Sequence, residues 1–390
     1  MVKRNLLLSL VIVITLLGGF FIGVIYSEKS THKESSHKTR LEINPMPKSE
    51  TKPEPKQIPK PAKSKVLIGY VQDFRNPSVV DYSKLTHVIF SFAHPAKDGR
   101  VLLNGKMAVD NLKAMTAKAH QQNTKIMLAV GGWYHIQGGE SYPYFKAAIT
   151  NPSARAKLIR GLVNITEREK LDGIDIDFEH PRSQADAENL DIFIKSLSSR
   201  LHAKKKELSI AVHPKIHSVT KTEIHFVVYK PEMFQYVDHV NIMAYDGQWD
   251  GGYNASNLSP YPFTEKIVNY WDHLFENYKL PKEKLVLGVP LYGQPDNPAI
   301  KQVSYAAILH NNPANAGHDT VAMNGTTYHY NSQLTMQRKT KLALDHGFGG
   351  MMLWETGLDA TGQGSVTATI SNVLKSSDRN KERFYTDAKR

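Results

Sequence analysis

The chain has 390 residues, 41% of them hydrophobic, no cysteine and a formal net charge of +12. This length suits one large domain or two small ones, and the missing cysteines exclude disulfides, thiolate metal sites and a cysteine nucleophile. Much of the basic excess lies before Lys65 and after Lys375, which argues for solvated tails or attraction to an anionic surface and against nucleic-acid readout.

Lys3 and Arg4 precede a charge-free, mostly apolar run from Leu6 to Tyr26. The run is about long enough to cross a bilayer as a helix and longer than the core of a cleaved signal peptide. No clear small-x-small cleavage site follows it. Residues 1–26 therefore read as an uncleaved signal anchor, with membrane contact through residues 6–26 and the bulk of the protein exported to a periplasmic or extracellular space. The alternative is a cleaved signal and a secreted protein. Lys29, Lys33, Lys38 and Arg40 follow the run and weaken the charge asymmetry. Residues 27–64 are rich in Lys, Pro, Ser and Glu, a composition that buries no core and reads as a semi-rigid linker. The globular domain is expected over 65–376, followed by a basic tail over 377–390.

From Lys65 the chain alternates. Strand-like apolar runs are Val66–Val71, His87–Phe92, Ile126–Val130, Gly173–Glu179, Leu208–His213, His239–Tyr245, Leu285–Val289 and Gly350–Trp354. Helix-like segments lie near 108–121, 184–204, 263–277 and 333–346. Another opens at Asn151-Pro152, a cap residue followed by proline at the first helical position, with Leu158, Leu162 and Ile165 as its apolar stripe. Eight strands alternating with helices over about 310 residues predict an α/β fold, a (β/α)₈ barrel in preference to an open sheet. No internal repeat is present.

The fourth run reads Asp172-Gly-Ile-Asp-Ile-Asp-Phe-Glu179. Ile174, Ile176 and Phe178 share one parity; Asp175, Asp177 and Glu179 share the other. In a strand the three carboxylates then project from one face, roughly 6–7 Å apart. Like charges packed so closely need protonation or hydrogen bonds. A metal site or a solvated acidic edge would be the ordinary explanations. Calcium loops use glycine-containing turns and not a strand, and an acidic edge would not be interleaved with Ile, Ile and Phe. Asp172 has the opposite parity and reads as structural.

Barrel enzymes place their chemistry at the C-terminal ends of the strands. Asp177 and Glu179 occupy that end of the fourth run. Other strand ends carry Gly69-Tyr70, Gly131-Gly132-Trp133, Met243-Ala-Tyr-Asp246, Leu291-Tyr292 and Trp354-Glu355. The glycines at 131 and 132 are expected to let backbone approach a ligand. Met243 and Tyr245 share a face. Aromatics converging on carboxylates suit a carbohydrate, with rings stacking on sugars and carboxylates doing the acid–base work.

The segment Asp172–Glu179 resembles the DGxDxDxE signature of glycoside hydrolase family 18, the chitinases and endo-β-N-acetylglucosaminidases. The resemblance extends to Gly131-Gly-Trp133, to Met243-x-Tyr245-Asp246 and to Trp354, and spans roughly 65–375. It implies a TIM barrel and substrate-assisted hydrolysis, one of the exceptions among glycosidases. In that scheme Glu179 is the general acid and later the base. Asp177 holds the substrate's acetamide N–H, Asp175 shares a proton with Asp177, and Tyr245 donates its hydroxyl to the acetamide oxygen. Tyr70, Trp133, Met243, Asp246, Tyr292 and Trp354 are the implied substrate-binding residues, with Trp354 as the floor of the site. No cofactor and no metal are implied. The expected partner is an N-acetylglucosamine-containing polysaccharide, the expected state a monomer.

The chain departs from the family pattern in four places. Ala129 stands where a serine usually supports the inner aspartate, so Tyr70 would carry that role. Tyr292-Gly293-Gln294 lacks the usual binding arginine. His180 follows Glu179 where an aromatic is common, and reads as an exposed rim histidine. The stretch 294–347 is a short insertion with a few strand-like residues around Thr326–Tyr330, which suggests a shallow cleft. Hydrolysis of chitin or its oligomers is the leading function. An endo-β-N-acetylglucosaminidase acting on N-glycans or peptidoglycan, and a non-catalytic chitin-binding lectin, are the alternatives.

Overall fold

The computed structural model describes residues 64–387. The anchor expected over 1–26 and the linker up to residue 63 lie outside the described residues. Among the described residues no helix is long and apolar enough to cross a membrane.

Eight parallel strands close into a barrel. They are β1 (Val66–Gln72), β2 (His87–Pro95), β3 (Lys125–Gly131), β4 (Gly173–Asp177), β5 (Glu207–Val212), β6 (His239–Ile242), β7 (Leu285–Pro290) and β8 (Gly350–Trp354). Each strand pairs with its sequence neighbour, and β8 returns to pair with β1, Val66 opposite Gly350. Closure leaves the barrel sheet without an open edge. The helices are α1 (Gly105–Gln121), α2 (Tyr142–Thr150), α3 (Pro152–Arg168), α4 (Gln184–His202), α5 (Tyr261–Asn277), α6 (Tyr305–Asn311), α7 (Gln333–Asp345) and α8 (Val366–Asp387). The last of these carries helix past residue 376, the expected end of the domain.

Strand parity sorts the core into two layers. Leu67, Val88, Phe90, Leu128, Ile174, Ile176, Leu208, Ile210 and Leu287 face outward, into the main core under the helices. Ile68, Tyr70, Ile89, Met127, Ala129, Val286 and Met352 face inward and pack against one another. The period of two requires this division, because successive side chains leave a strand on opposite faces. The outer layer is sealed by helices such as α5, whose Phe263, Ile267, Trp271 and Phe275 recur every four residues and are all buried. Each such side chain contributes roughly 1.5–3 kcal/mol. At the start of α3 the Asn151 side chain accepts hydrogen bonds from Ser153 N and Ala154 N, ahead of Pro152. Such a cap contributes about 1 kcal/mol.

Two strands stop earlier than their apolar patterns suggest. Strand β4 ends at Asp177 and not at Glu179, and β6 ends at Ile242 and not at Tyr245. Beyond these points the chain turns into the loops of the barrel mouth. His180 (φ 64°) and Asp246 (φ 62°) take the left-handed conformation there. The insertion is also more ordered than its sequence indicates. Tyr292–Pro295, Val303–Ser304, Thr320–Met323 and Thr326–His329 form a small antiparallel sheet flanked by α6. Two- to four-residue strands carry too little alternation to be read from sequence.

Candidate active site

The carboxylates of β4 point into the barrel. Asp175 is fully buried and accepts hydrogen bonds from Tyr70 Oη (2.7 Å), Ser209 Oγ (2.5 Å) and Asn241 Nδ2 (3.2 Å). These donors come from β1, β5 and β6, so three strands besides its own hold one side chain. Burial pushes the Asp175 pKa up to about 6, against the pull of those bonds. Ser209 lies directly opposite Asp175 in the strand register, and Ala129 lies opposite it on the other flank. The hydroxyl absent at residue 129 is therefore supplied by Ser209. Neither Ser209 nor Asn241 stood out in the sequence. Their only signal there is a polar residue interrupting an apolar strand at inward parity.

Asp177 is buried as well, and its Oδ1 has no hydrogen-bond partner among the described residues. Loss of solvation, then the charges of Glu179 and Asp175, raise its pKa well above the usual carboxylate range. Glu179 stands just past the strand end and is half-buried. Loss of solvation and the charge of Asp246 push its pKa up to about 8. Both effects favour the protonated form of Glu179.

The glycines at the end of β3 bear on β4. Gly132 N donates to Asp177 O at 2.9 Å. Gly131 has φ 122°, and a Cβ there would lie 2.0 Å from the same carbonyl oxygen. The pair of glycines lets β3 press against the end of β4 and hold Asp177 in place.

Tyr245 is buried, and among the described residues its hydroxyl has a single hydrogen-bond acceptor, Met352 Sδ at 3.8 Å. Burial, then the charge of Asp246, raise its pKa well above 10, so it is a donor with a weak partner. Asp246 accepts from Tyr292 Oη (2.6 Å) and Gln248 Nε2 (3.1 Å). Tyr70 and Tyr292 are themselves buried, and reach the site through Asp175 and Asp246. Met243 is half-buried against the inner layer. Trp354 packs edge-on to Tyr70 at 5.7 Å, and Phe92 lies 5.9 Å from it. Behind Trp354, the fully buried Glu355 pairs with Arg75 Nε at 2.7 Å.

Trp133 is 43% exposed at the rim. Its ring meets the edge of His180 at 5.5 Å, and His180 meets His213 at 4.8 Å. His180 is thus wedged between two rings and is not the exposed rim residue expected from sequence. Burial lowers its pKa to about 4, so the imidazole is neutral at neutral pH. Asp172 bonds to Ile126 N and His120 at the opposite end of the barrel, in keeping with a structural role.

A buried aspartate pair, a glutamate, a weakly partnered tyrosine hydroxyl and an indole thus converge at one barrel mouth. The family model of the glycosyl hydrolases family 18 matches residues 66–359. The chain belongs to this family. It is 25% identical over 370 residues to Endochitinase 1 of Metarhizium robertsii, covering 80% of this chain and 85% of the relative. Among solved structures it is similar to the GH18 chitinase ChiB of Flavobacterium johnsoniae, with a TM-score of 0.67, 25% identity and coverage of 80% of this chain and 94% of that one. A chitinase from Bacteroides thetaiotaomicron gives a TM-score of 0.66 at 26% identity, over 80% of this chain and 97% of that one. Family 18 membership makes the chain a glycoside hydrolase, with the barrel described here as its catalytic domain.

Proposed function

We propose that this family 18 enzyme hydrolyses β-1,4-linked N-acetylglucosamine polymers, chitin or its oligomers, with the substrate's own acetamide as nucleophile. The observation that carries the reading is the carboxylate row at the end of β4, with Asp175 held by Tyr70, Ser209 and Asn241. Burial and the charge of Asp246 push the Glu179 pKa up, toward the protonated form a general acid needs, and Asp177 beside it has an oxygen without a hydrogen-bond partner among the described residues. The names of similar proteins support the substrate, since both the fungal relative and the bacterial structures are chitinases.

The reaction then runs as follows. Glu179 gives its proton to the glycosidic oxygen, and the C1–O bond breaks. The acetamide carbonyl oxygen attacks C1 and closes an oxazolinium ring. Asp177 accepts a hydrogen bond from the acetamide N–H and offsets the positive charge, while its proton is shared with Asp175. Tyr245 donates to the acetamide oxygen as the ring forms. Trp354 supports the apolar face of the sugar. Glu179, now a carboxylate, takes a proton from water that attacks C1 and reopens the ring, with net retention.

Replacing Glu179 with Gln tests the assignment. Turnover of a chitin oligomer should fall at least the roughly 10²–10⁴-fold typical of lost acid–base catalysis, with sugar binding retained. Turnover near that of the unmodified enzyme would refute it.

We also infer that residues 6–26 tether the enzyme to a membrane, with the barrel exported on the linker. The support is the apolar run and the polar, proline-rich stretch after it. The full chain should then sediment with membranes, while a chain shortened to start at Lys65 should be soluble and equally active on small substrates. A native N-terminus near residues 27–30 would show instead that the run is removed.

A further inference from the structure

The barrel has a second cluster of titratable side chains at the end opposite the active site. His87, Lys125, Glu207 and His239 are the first residues of β2, β3, β5 and β6. Each has the inward parity of its strand, since His87 precedes Ile89, Lys125 precedes Met127, Glu207 precedes Ser209 and His239 precedes Asn241 by two. The lowest inward layer of such a barrel is ordinarily filled by branched apolar side chains. Here it is filled by two imidazoles, a carboxylate and an amine.

Their atoms converge. His87 Nε2 lies 2.9 Å from Glu207 Oε2, and His239 Nε2 lies 3.9 Å from the same oxygen. One ligand atom from each of the three residues falls within 4.8 Å of the others. A zinc ion bound tetrahedrally at about 2.0–2.2 Å holds its ligand atoms roughly 3.3–3.6 Å apart, and the observed distances straddle that value. The two imidazole rings pack edge to face with their centroids 5.1 Å apart.

The surroundings fit a cation. The Thr86 hydroxyl donates to Leu67 O at 3.0 Å and accepts from Leu67 N at 2.9 Å, and its second lone pair lies 2.8 Å from His87 Nδ1. The contact fixes the ring, and with the proton on Nδ1 it would leave a lone pair on Nε2 for a metal, the outer-shell arrangement common to metal-binding histidines. His239 makes no side-chain hydrogen bond among the described residues, and its Nδ1 is buried without a partner. Lys125 pairs with the other carboxylate oxygen, Oε1, leaving Oε2 to the two histidines. Glu207 and His239 remain 23% and 13% exposed in their side chains, which leaves a route in from solvent.

We propose that His87, Glu207 and His239 bind one divalent transition-metal ion of the zinc class, with a solvent molecule completing its shell. Two imidazoles and a carboxylate favour zinc or its neighbours over calcium or magnesium, which take oxygen ligands. The site would clamp β2, β5 and β6 at the closed floor of the barrel. It lies at the end away from Glu179 and takes no part in hydrolysis.

The test uses the full chain, purified without a polyhistidine tag, stripped with a chelator and returned to zinc. After gel filtration the protein should carry one zinc per chain, and its Tm should be higher than that of the stripped form. Cobalt(II) should give the visible absorption of a four-coordinate site with nitrogen and oxygen ligands. Glu207→Gln and His239→Gln should each weaken zinc binding more than about 100-fold, since losing outer-shell partners alone costs about 10–100-fold. Circular dichroism identifies variants that are folded, and the cobalt spectrum of the unmodified chain decides the matter if neither is. Zinc absent from the returned protein with an unchanged Tm would overturn the proposal and leave a plain His87–Glu207 hydrogen bond. Zinc bound equally by the folded variants would overturn it too, by placing the ion elsewhere.

Discussion

Ser209 Oγ donates to Asp175 Oδ1 at 2.5 Å, across the pair of strands β4 and β5. It takes over a hydroxyl that the family pattern expects on β3, where this chain has Ala129. The inner aspartate is therefore held from β1, β5 and β6, and the proton balance of the pair does not rest on Tyr70 alone. Ser209→Ala should lower kcat roughly 10-fold, the cost of one hydrogen bond to a charged group, with KM little changed. Ala129 and Ser209 flank Asp175 in the same register. Adding Ala129→Ser to the Ser209→Ala chain should therefore restore part of the loss. Steady-state kinetics on a chitin oligomer measures both effects, and unchanged kcat in the single variant would contradict the role given to Ser209.

The second prediction concerns pH. Glu179 works with its proton on, so activity should fall as pH rises through its pKa of about 8. The charge of Asp246 is one of the two causes of that elevation, and Asp246→Asn removes it. The Glu179 pKa should then drop and the alkaline limb of kcat/KM move to lower pH. The same elevation bears on stability. A carboxyl whose pKa rises on folding stabilises the fold below its unfolded value, near 4.5, and loses that contribution as pH rises toward 8. Glu179→Gln should accordingly raise Tm at pH 9 relative to the unmodified chain and change it little at pH 4. A kcat/KM limb unmoved in the Asp246→Asn chain would contradict the electrostatic account.

Gly131 provides a steric test. A methyl group there would meet Asp177 O at 2.0 Å, and the residue has φ 122°. Gly131→Ala should push β3 and β4 apart at their ends and misplace Asp177. A shift of about 1 Å at a reacting group costs on the order of 10²-fold in rate. The expected result is a collapse of kcat with the barrel still folded by circular dichroism.

The eight barrel strands were legible in the sequence because each is a compact apolar run with polar ends. Glu179, Asp177 and Asp175 were legible because their spacing is a property of one strand. What escaped depends on contacts between strands. Ser209 and Asn241 reach Asp175 through register and barrel tilt, across 34 and 66 positions of chain. The three residues at the barrel floor span 152 positions, from His87 to His239. At Gly131 and Gly132 sequence shows that a backbone is bare, not what lies against it. His180 looked exposed because the rings that enclose it, Trp133 and His213, belong to other loops.

In the proposed reaction the substrate's acetamide attacks C1 while Glu179 supplies and recovers the proton. Proton NMR in the first seconds of chitotetraose hydrolysis measures it most directly, with cellotetraose run in parallel. Attack by the acetamide should give β-anomer product from chitotetraose, no cleavage of cellotetraose, and competitive inhibition by a thiazoline analogue of the bicyclic intermediate. Initial α-anomer product, or cellotetraose cleaved at a comparable rate, would contradict it and make Asp177 or Asp175 a conventional base or nucleophile.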